Sequence, residues 1–418
     1  MEGNKLVLVG LTLSLLTACG GGSGGDNNSA SVIVETIKGR VINETTCGNQ
    51  SYPGVEVLVH DNAGKIVKRV KNTDDGEFSV SWDKGDTHIS FVKNGVNLHA
   101  KTLLNVSAGD LGLIPLKSDA TNNCDCTYVN FDTSEIAPLY PNTQLLPSSS
   151  NVKVCKVEGK YQSINLALVP TQDGVAPIAT SIDVNNLING QAILLKAEDF
   201  NGEYRQGQAI TLDGLVSGDH LSTGSVSNRQ SGADQQFSWQ QSAYAFPQQF
   251  GEEYVSASHT QFHNLPNGTS IFYLSAHTQQ IHDANKIYNA EINRDFAPLL
   301  EALQPVLEGV AANQATSYDF SQYDANISAV NFELGSQAWD WSIEGAKSGT
   351  LPLIELPTDA VHKINLSTSF NSSLGLILVE SKNSTSYADF RQEWAKVSRD
   401  SYFLTDAKVS ILHISGKI

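Results

Sequence analysis

The fold of this chain is constrained most strongly by the alternation of apolar and polar residues, interrupted by turn sequences rich in Asp, Asn and Gly. The alternation covers residues 55–59 and 78–82, and turns follow at residues 61–64 and 72–76. A period of two with such turns is typical of short antiparallel strands. We therefore expect residues 33–117 to form a small β-sandwich. The side chains expected to face its core are Val55, Val57, Val59, Phe78, Val80 and Trp82.

Three segments of this region resemble the carboxypeptidase regulatory-like domain, a transthyretin-like β-sandwich. They are GRV at residues 39–41, PGVEVLV at residues 53–59 and TDDGEF at residues 73–78. Members of that family are accessory modules without catalytic residues. The resemblance therefore implies a fold and no active site for this part of the chain.

The first 18 residues read as a secretory signal peptide. Lys5 makes the N-terminus basic, and residues 6–18 form an apolar run too short to span a bilayer. Residues 16–19, Leu-Thr-Ala-Cys, resemble the lipobox of bacterial lipoproteins. The resemblance implies that Cys19 carries lipid and that the peptide before it is removed. The alternative is an ordinary signal peptide in which Cys19 is incidental.

The residues after Cys19 read as a membrane tether. Residues 20–31 are Gly, Ser and Asn rich, a composition typical of a flexible coil. Attachment by several acyl chains is stable, whereas a single chain anchors only marginally. Gly20 stands where inner-membrane retention favours Asp, so the family resemblance implies the outer membrane. We expect an outer-membrane lipoprotein on the periplasmic or cell-surface side.

The charge balance excludes one class of partner. The chain has 27 basic and 44 acidic residues, a formal net charge of −17. Nucleic-acid binding requires a basic surface, so we expect no nucleic-acid partner. Anionic head groups would also repel this surface, which leaves the lipid as the membrane contact.

The cysteine count predicts disulfides. Beyond Cys19 the chain contains Cys47, Cys124, Cys126 and Cys155, an even number for an exported protein. A Cys124–Cys126 bridge would close a very small, strained ring. We therefore expect Cys47 and Cys155 each to pair with one of the other two, and the sequence leaves the choice open. The alternative, a zinc site, lacks C-x-x-C spacing and a nearby His, so we expect no metal.

The rest of the chain is dominated by strand-like runs, among them residues 329–334, 338–344, 362–368 and 374–380. Residues 294–313 differ, because their apolar residues repeat with a period of 3.6, which predicts a helix. Residues 387–397 are a second predicted helix. We predict a mainly β fold, with the transthyretin-like β-sandwich followed by one or two further β-sandwich-like domains and a few helices. The expected segments are 1–18 signal peptide, 19–32 lipidated Cys and tether, 33–117 sandwich, 118–152 Cys-containing linker, 153–290 β-rich domain and 291–418 helix plus β-rich domain.

Linear motifs for catalysis are missing from the sequence. No H-E-x-x-H occurs, and the G-x-S-x-G and G-x-G-x-x-G matches fall within the tether at residues 20–25. We therefore expect no cofactor. His259, His263, His277 and His282 surround a predicted hairpin, whose turn at residues 264–268 would bring His277 nearest to Val255. Hydrogen-bonded histidines are expected there rather than metal ligands.

One candidate ligand site remains in the sequence. Trp339 and Trp341 flank Asp340 on a predicted strand, so both rings lie on the same face. They form either a sugar-stacking platform or part of a core.

We expect a binding, adhesion or envelope-structural role, with a glycan or a protein as the ligand. The alternative is an extracytoplasmic hydrolase of glycan or peptide with a dispersed active site.

Overall fold

The structure is a computed structural model. It describes residues 35–45, 48–119, 125–148, 150–157, 159–172, 175–185, 192–202, 205–226, 236–239, 242–265, 268–336, 338–361, 372–396 and 406–416. The predicted signal peptide and tether, Cys19, Cys47, Cys124 and a strand expected at residues 362–368 lie outside these residues.

The described residues form a mainly β structure, as predicted. The strands are β1 Glu35–Thr45, β2 Gly48–Ser51, β3 Glu56–Asp61, β4 Ile66–Lys71, β5 Glu77–Trp82, β6 Asp86–Asn94, β7 Leu98–Leu103, β8 Gly109–Pro115, β9 Cys126–Asp132, β10 Thr143–Leu146, β11 Val152–Val157, β12 Lys160–Tyr161, β13 Ile164–Pro170, β14 Ile178–Ile182, β15 Ala192–Leu194, β16 Gln208–Asp213, β17 His220–Ser225, β18 Gln236–Trp239, β19 Ala243–Ala245, β20 Glu253–Asn264, β21 Ser270–Ile281, β22 Ile287–Asn289, β23 Thr316–Asp319, β24 Ala329–Gly335, β25 Trp339–Gly345, β26 Ser348–Leu351, β27 Ser372–Ser381 and β28 Ala407–Gly416.

Helical segments are few, in agreement with the prediction. They are a 3₁₀ turn at Ala197–Phe200 and the helices α1 Pro247–Phe250, α2 Ala297–Ala311, α3 Thr358–Val361 and α4 Tyr387–Lys396. The two helical segments predicted from sequence correspond to α2 and α4.

A twelve-stranded sheet, which we call the main sheet, organises the described residues. Its strand order is β18-β17-β20-β21-β28-β27-β24-β25-β7-β6-β3-β4. β7 pairs with β25 in parallel, with Trp339 opposite Leu98 and Glu344 opposite Leu103. This pair connects β3, β4, β6 and β7 to the other strands of the main sheet. Strands from residues 56–103 and 329–416 therefore share one sheet.

The predicted sandwich core is present. The strands β1, β2, β5 and β8 form a smaller sheet that faces β3, β6 and β7 of the main sheet. All six side chains predicted to face the core are buried between these sheets, together with Phe390 of α4. Phe78 and Phe91 meet edge to face across this core, with ring centroids 5.0 Å apart.

The opposite face of the main sheet carries a second core. There Leu98, Phe332 and Leu376 pack with Leu299 and Leu303 of α2. On this face every second residue of each strand is buried, because successive side chains of a strand point to opposite faces. Because α2 covers this face, ligands reach the main sheet only from the other side in this region.

The segment expected to be a linker contains regular structure. β9 and β10 lie within residues 118–152, and β9 pairs with β11 in an antiparallel register that sets Cys126 opposite Cys155. These two cysteines form a disulfide. Val129 and Phe131 alternate with exposed residues and bury one face of β9, which explains why this segment forms a strand.

The hairpin β20–β21 differs from the expected register. Asn264 pairs with Ser270, so the turn closes one residue later than predicted, and His277 lies opposite Ala257 rather than Val255. The Leu265 N–H donates to the Thr269 carbonyl at 2.8 Å, which closes the loop in this register.

Candidate functional site

The two faces of the main sheet differ in exposure across β21, β28, β27, β24 and β25. On one face, residues such as Phe332 and Leu376 are buried under α2. On the other face, residues such as Glu333 and His413 are partly exposed. We call this second face the open face.

A row of side chains crosses the open face through seven neighbouring strands. From β7 to β28, residues paired in register form what we call the polar row: Lys101, Ser342, Glu333, Gly375 and His413. The same register continues to Phe272 on β21 and Phe262 on β20, which we call the aromatic pair. Since strands in a sheet are about 4.8 Å apart, seven strands cover about 29 Å.

Gly375 makes room for a cleft in the polar row. A Cβ atom at this position would lie 3.1 Å from the Cβ of Glu333 and 3.4 Å from its Oε2. The space that the glycine leaves belongs to a cleft of about 510 Å³. Its polar lining includes Lys101, Lys117, Asn331, Glu333, Asp340, Ser342, Ser373 and His413.

Residues 115–117, at the end of β8 and directly after it, form one wall of the cleft. His99 ties the end of this wall to the main sheet, because its Nδ1 contacts Asp340 and its Nε2 lies 3.1 Å from Asp119 Oδ1. The Asn97 N–H also donates to Asp119 Oδ2 at 2.9 Å. The hydrogen bond with Asp340, aided by Asp119, raises the pKa of His99 despite its burial. The imidazolium form can donate to both carboxylates at once.

Lys101 links the polar row to a buried ionic cluster. Its Nζ lies 3.5 Å from Glu344 Oε2, and Arg391 Nη1 of α4 lies 3.1 Å from Glu344 Oε1. Burial alone would raise the pKa of Glu344, but Arg391 and Lys101 outweigh burial and lower it. The cluster therefore fixes Lys101 and the end of the cleft near α4.

The cleft carries both charges and unoccupied polar groups. Lys101 pairs with Glu344 and Asp340 pairs with His99, which leaves Lys117 and Glu333, one charge of each sign, in the cleft. Among the described residues, neither the Glu333 carboxylate nor the His413 imidazole has a hydrogen-bond or ion-pair partner. These two groups are chemically available to a ligand.

The tryptophans singled out from sequence lie on the other face of β25. Trp339 is 4% exposed and belongs to the core beneath α2. Trp341 is partly buried against the same core, and its indole N–H donates to Thr102 Oγ1 at 3.0 Å. Both rings therefore pack as core side chains, and Trp341 also contributes to the lining of the cleft.

The predicted cysteine sites are only partly covered by the described residues. Cys155 pairs with Cys126, which fits the expectation that it bonds one member of the Cys124/Cys126 pair. The lipidation site Cys19 and the cysteines at 47 and 124 lie outside the described residues.

A second cleft of about 500 Å³ contains one of the four histidines. Lys408 contacts Glu291 and lies 3.1 Å from Glu380 Oε2, and the Glu291 N–H donates to His277 Nδ1 at 3.1 Å. Burial raises the pKa of Glu380, whereas the bond with Lys408 lowers the pKa of Glu291. Within the described ranges no group of three or more His, Cys, Asp or Glu residues has a geometry that could hold a metal.

Sequence reasoning did not find the polar row. Its members come from five strands between residues 101 and 413, so no linear spacing joins them. A glycine inside the predicted strand 374–380 was the one local signal, because glycine in a strand often marks a close approach.

Comparisons with known proteins identify no family. No protein-family profile matches the chain, and no curated protein matches its sequence significantly. A DUF3823 family protein from Parabacteroides merdae aligns at 12% identity over 54% of this chain and 89% of its own, with a TM-score of 0.16. The Bacillus anthracis TIE protein aligns at 12% identity over 61% of this chain and 49% of its own, with a TM-score of 0.15. Both TM-scores are too low to establish a shared fold.

Proposed function

We propose that this chain is an outer-membrane-anchored lipoprotein that binds a polar, uncharged ligand in the cleft of the open face. The observation that carries the proposal is the lining of that cleft. Donors and acceptors converge there, Lys117 and Glu333 carry opposite charges, and Glu333 and His413 are available. Binding sites of this kind use a few placed polar groups for orientation.

The anchoring part of the proposal rests on the resemblance at residues 16–19. Among the described residues, no helix has the length and hydrophobicity needed to cross a bilayer. We expect Cys19→Ser to release the protein from the membrane fraction, because the acidic surface gives no second anchor. Retention of Cys19→Ser in the outer-membrane fraction at high salt would overturn the lipoprotein assignment.

The sandwich of residues 33–117 has the role of an accessory module in this proposal. It supplies β7 and the wall at residues 115–117 to the cleft. The resemblance to the carboxypeptidase regulatory-like domain supports a supporting role without catalysis for this part of the chain.

Ligand binding at the cleft is tested by filling it. We expect Gly375→Val to abolish ligand-induced increases in melting temperature in a screen of neutral sugars, amino acids and short peptides, because the new side chain occupies the space beside Glu333. Glu301→Gln, on the exposed side of α2, is the control and should leave those increases unchanged. Equal shifts in wild type and Gly375→Val would place binding elsewhere.

A second candidate function is hydrolysis at the second cleft. The observation that favours it is the pair Glu380 and Glu291, whose pKa values are moved in opposite directions beside one lysine. Such a pair supplies a proton donor and a carboxylate base. Hydrolysis would be supported if wild type and Glu301→Gln cleave a glycoside or a peptide and Glu380→Gln does not. An absence of cleavage in wild type would reject it.

A further inference from the structure

The aromatic pair extends the candidate site beyond the cleft. Phe262 is 70% exposed, which is unusual for an aromatic side chain on a sheet. Its ring centroid lies 4.9 Å from that of Phe272, and Phe272 is the register partner of His413. The exposed ring of Phe262 and the half-buried ring of Phe272 therefore continue the polar row without a break.

From this continuity we infer that the open face binds an extended, uncharged oligosaccharide along the row from Lys101 to Phe262. The inference rests on the proposed function, and it adds the chemical class of the ligand and the path it takes. Hydroxyl groups would meet Glu333, His413 and Lys101 in the cleft. The apolar face of a sugar ring would pack on Phe262 and Phe272.

Charge supports a saccharide over other polymers. The protein has a net charge of −17, so it repels nucleic acids and acidic polysaccharides. The polar row contains one lysine and one carboxylate, and its remaining members are small or are imidazole. A chain of hydroxyl groups, each able to donate and to accept, matches a row of donors and acceptors whose two opposite charges cancel.

The length of the row supports an oligomer. Its seven strands cover about 29 Å, much further than one sugar ring. A ligand that fills only the cleft would leave the aromatic pair in water. A longer ligand would cover both, and each added contact would reduce its dissociation rate.

The test compares cello-, malto- and chito-oligosaccharides of increasing length by isothermal titration with the full-length protein. In wild type we expect affinity to rise with length until the ligand reaches the aromatic pair. Phe262→Ala should reduce the affinity for the long oligosaccharides about tenfold and leave short ones unchanged. Phe262→Tyr keeps the ring and should retain the length dependence.

The outcomes separate the two proposals. If Gly375→Val abolishes binding but affinity is independent of length and of Phe262, the cleft binds ligand and the extended path is wrong. A second outcome is that no oligosaccharide binds, but a peptide binds to wild type and not to Gly375→Val. The saccharide class is then wrong and the proposed function stands. If Gly375→Val binds every probe as wild type does, both proposals fail.

Discussion

At the scale of single residues, His99 determines how the cleft wall responds to pH. The bond with Asp340, supported by Asp119, raises the folded-state pKa of His99 above its ordinary value near 6.5. Its contribution to stability is therefore fully present below the unfolded-state pKa and is lost as pH rises through the folded-state pKa. The positive charge on His99 is what allows one side chain to bridge the wall and the sheet.

We expect the difference in melting temperature between wild type and His99→Gln to be largest near pH 5 and to shrink as the pH rises above neutrality. Thermal melts between pH 5 and pH 9 measure this difference. His282→Gln changes an exposed histidine and serves as control. Parallel curves for wild type and His99→Gln would show that the bridge contributes nothing that depends on protonation.

Trp82 and Glu77 test the assignment of the two faces of β5. Trp82 is buried in the sandwich core, whereas Glu77 is exposed on the opposite face of the same strand. Trp82→Ala should lower the free energy of unfolding by about 3–5 kcal/mol. Glu77→Ala should change it by less than about 0.5 kcal/mol. Equal midpoints in urea unfolding would mean that the face assignment is wrong.

At the scale of elements, α4 is attached to β25 by a buried ionic contact and to the sandwich by a hydrogen bond. Arg391 contacts Glu344, and its Nη2 donates to the Leu111 carbonyl at 2.8 Å. The Tyr387 hydroxyl, one turn earlier, donates to Glu344 Oε1 at 3.2 Å. Glu344 thus joins the helix to β25, and removal of the guanidinium would leave its charge buried.

Arg391→Met should therefore lower the free energy of unfolding by about 3–5 kcal/mol. Adding Glu344→Gln should cost less in the Arg391→Met background than in wild type, because the ion pair with Arg391 is already lost there. A double-mutant cycle in urea measures the coupling. Additive losses from the two substitutions would contradict a direct interaction between these side chains.

Elements were predicted from sequence more accurately than their pairing. Alternation located β5, β24 and β25, and the apolar period of 3.6 located α2. The hairpin β20–β21 was predicted with a turn one residue too early, because its Pro-Asn-Gly sequence indicates a turn without specifying which residue pair closes it. The parallel pair β7–β25 was not predicted, since its partners are separated by about 240 residues and each strand has the same alternation as many others.

At the scale of the whole molecule, the candidate site was not predicted from sequence, because the pairing of distant strands was not predicted. The cleft needs Gly375 beside Glu333 and His413, and these neighbours are defined only by the order of β24, β27 and β28. The lipobox-like motif at residues 16–19 is local, and lipidation of Cys19 stays a prediction. A local motif can be recognised in the sequence, whereas a site assembled across a sheet cannot.

The continuous main sheet also determines how the molecule unfolds. Leu98 of β7 is fully buried in the core that contains Phe332, Leu376 and Leu299 of α2. Residues 35–418 belong to one compact unit. Loss of packing at Leu98 should therefore weaken strands that are distant in sequence as well as its own hairpin.

We expect Leu98→Ala to lower stability by about 2–5 kcal/mol and to speed amide exchange in β24, β25 and β27 together with β6 and β7. Hydrogen exchange read by mass spectrometry measures these strands separately. Val67→Ala, at an exposed position on the edge strand β4, is the control and should leave exchange in β24–β27 unchanged. If faster exchange in Leu98→Ala stops at residue 117, the sandwich unfolds as an independent domain, and the join at β7–β25 carries little energy. If it reaches β27, the cleft between these strands depends on both ends of the chain, and ligand bound there should slow exchange in both.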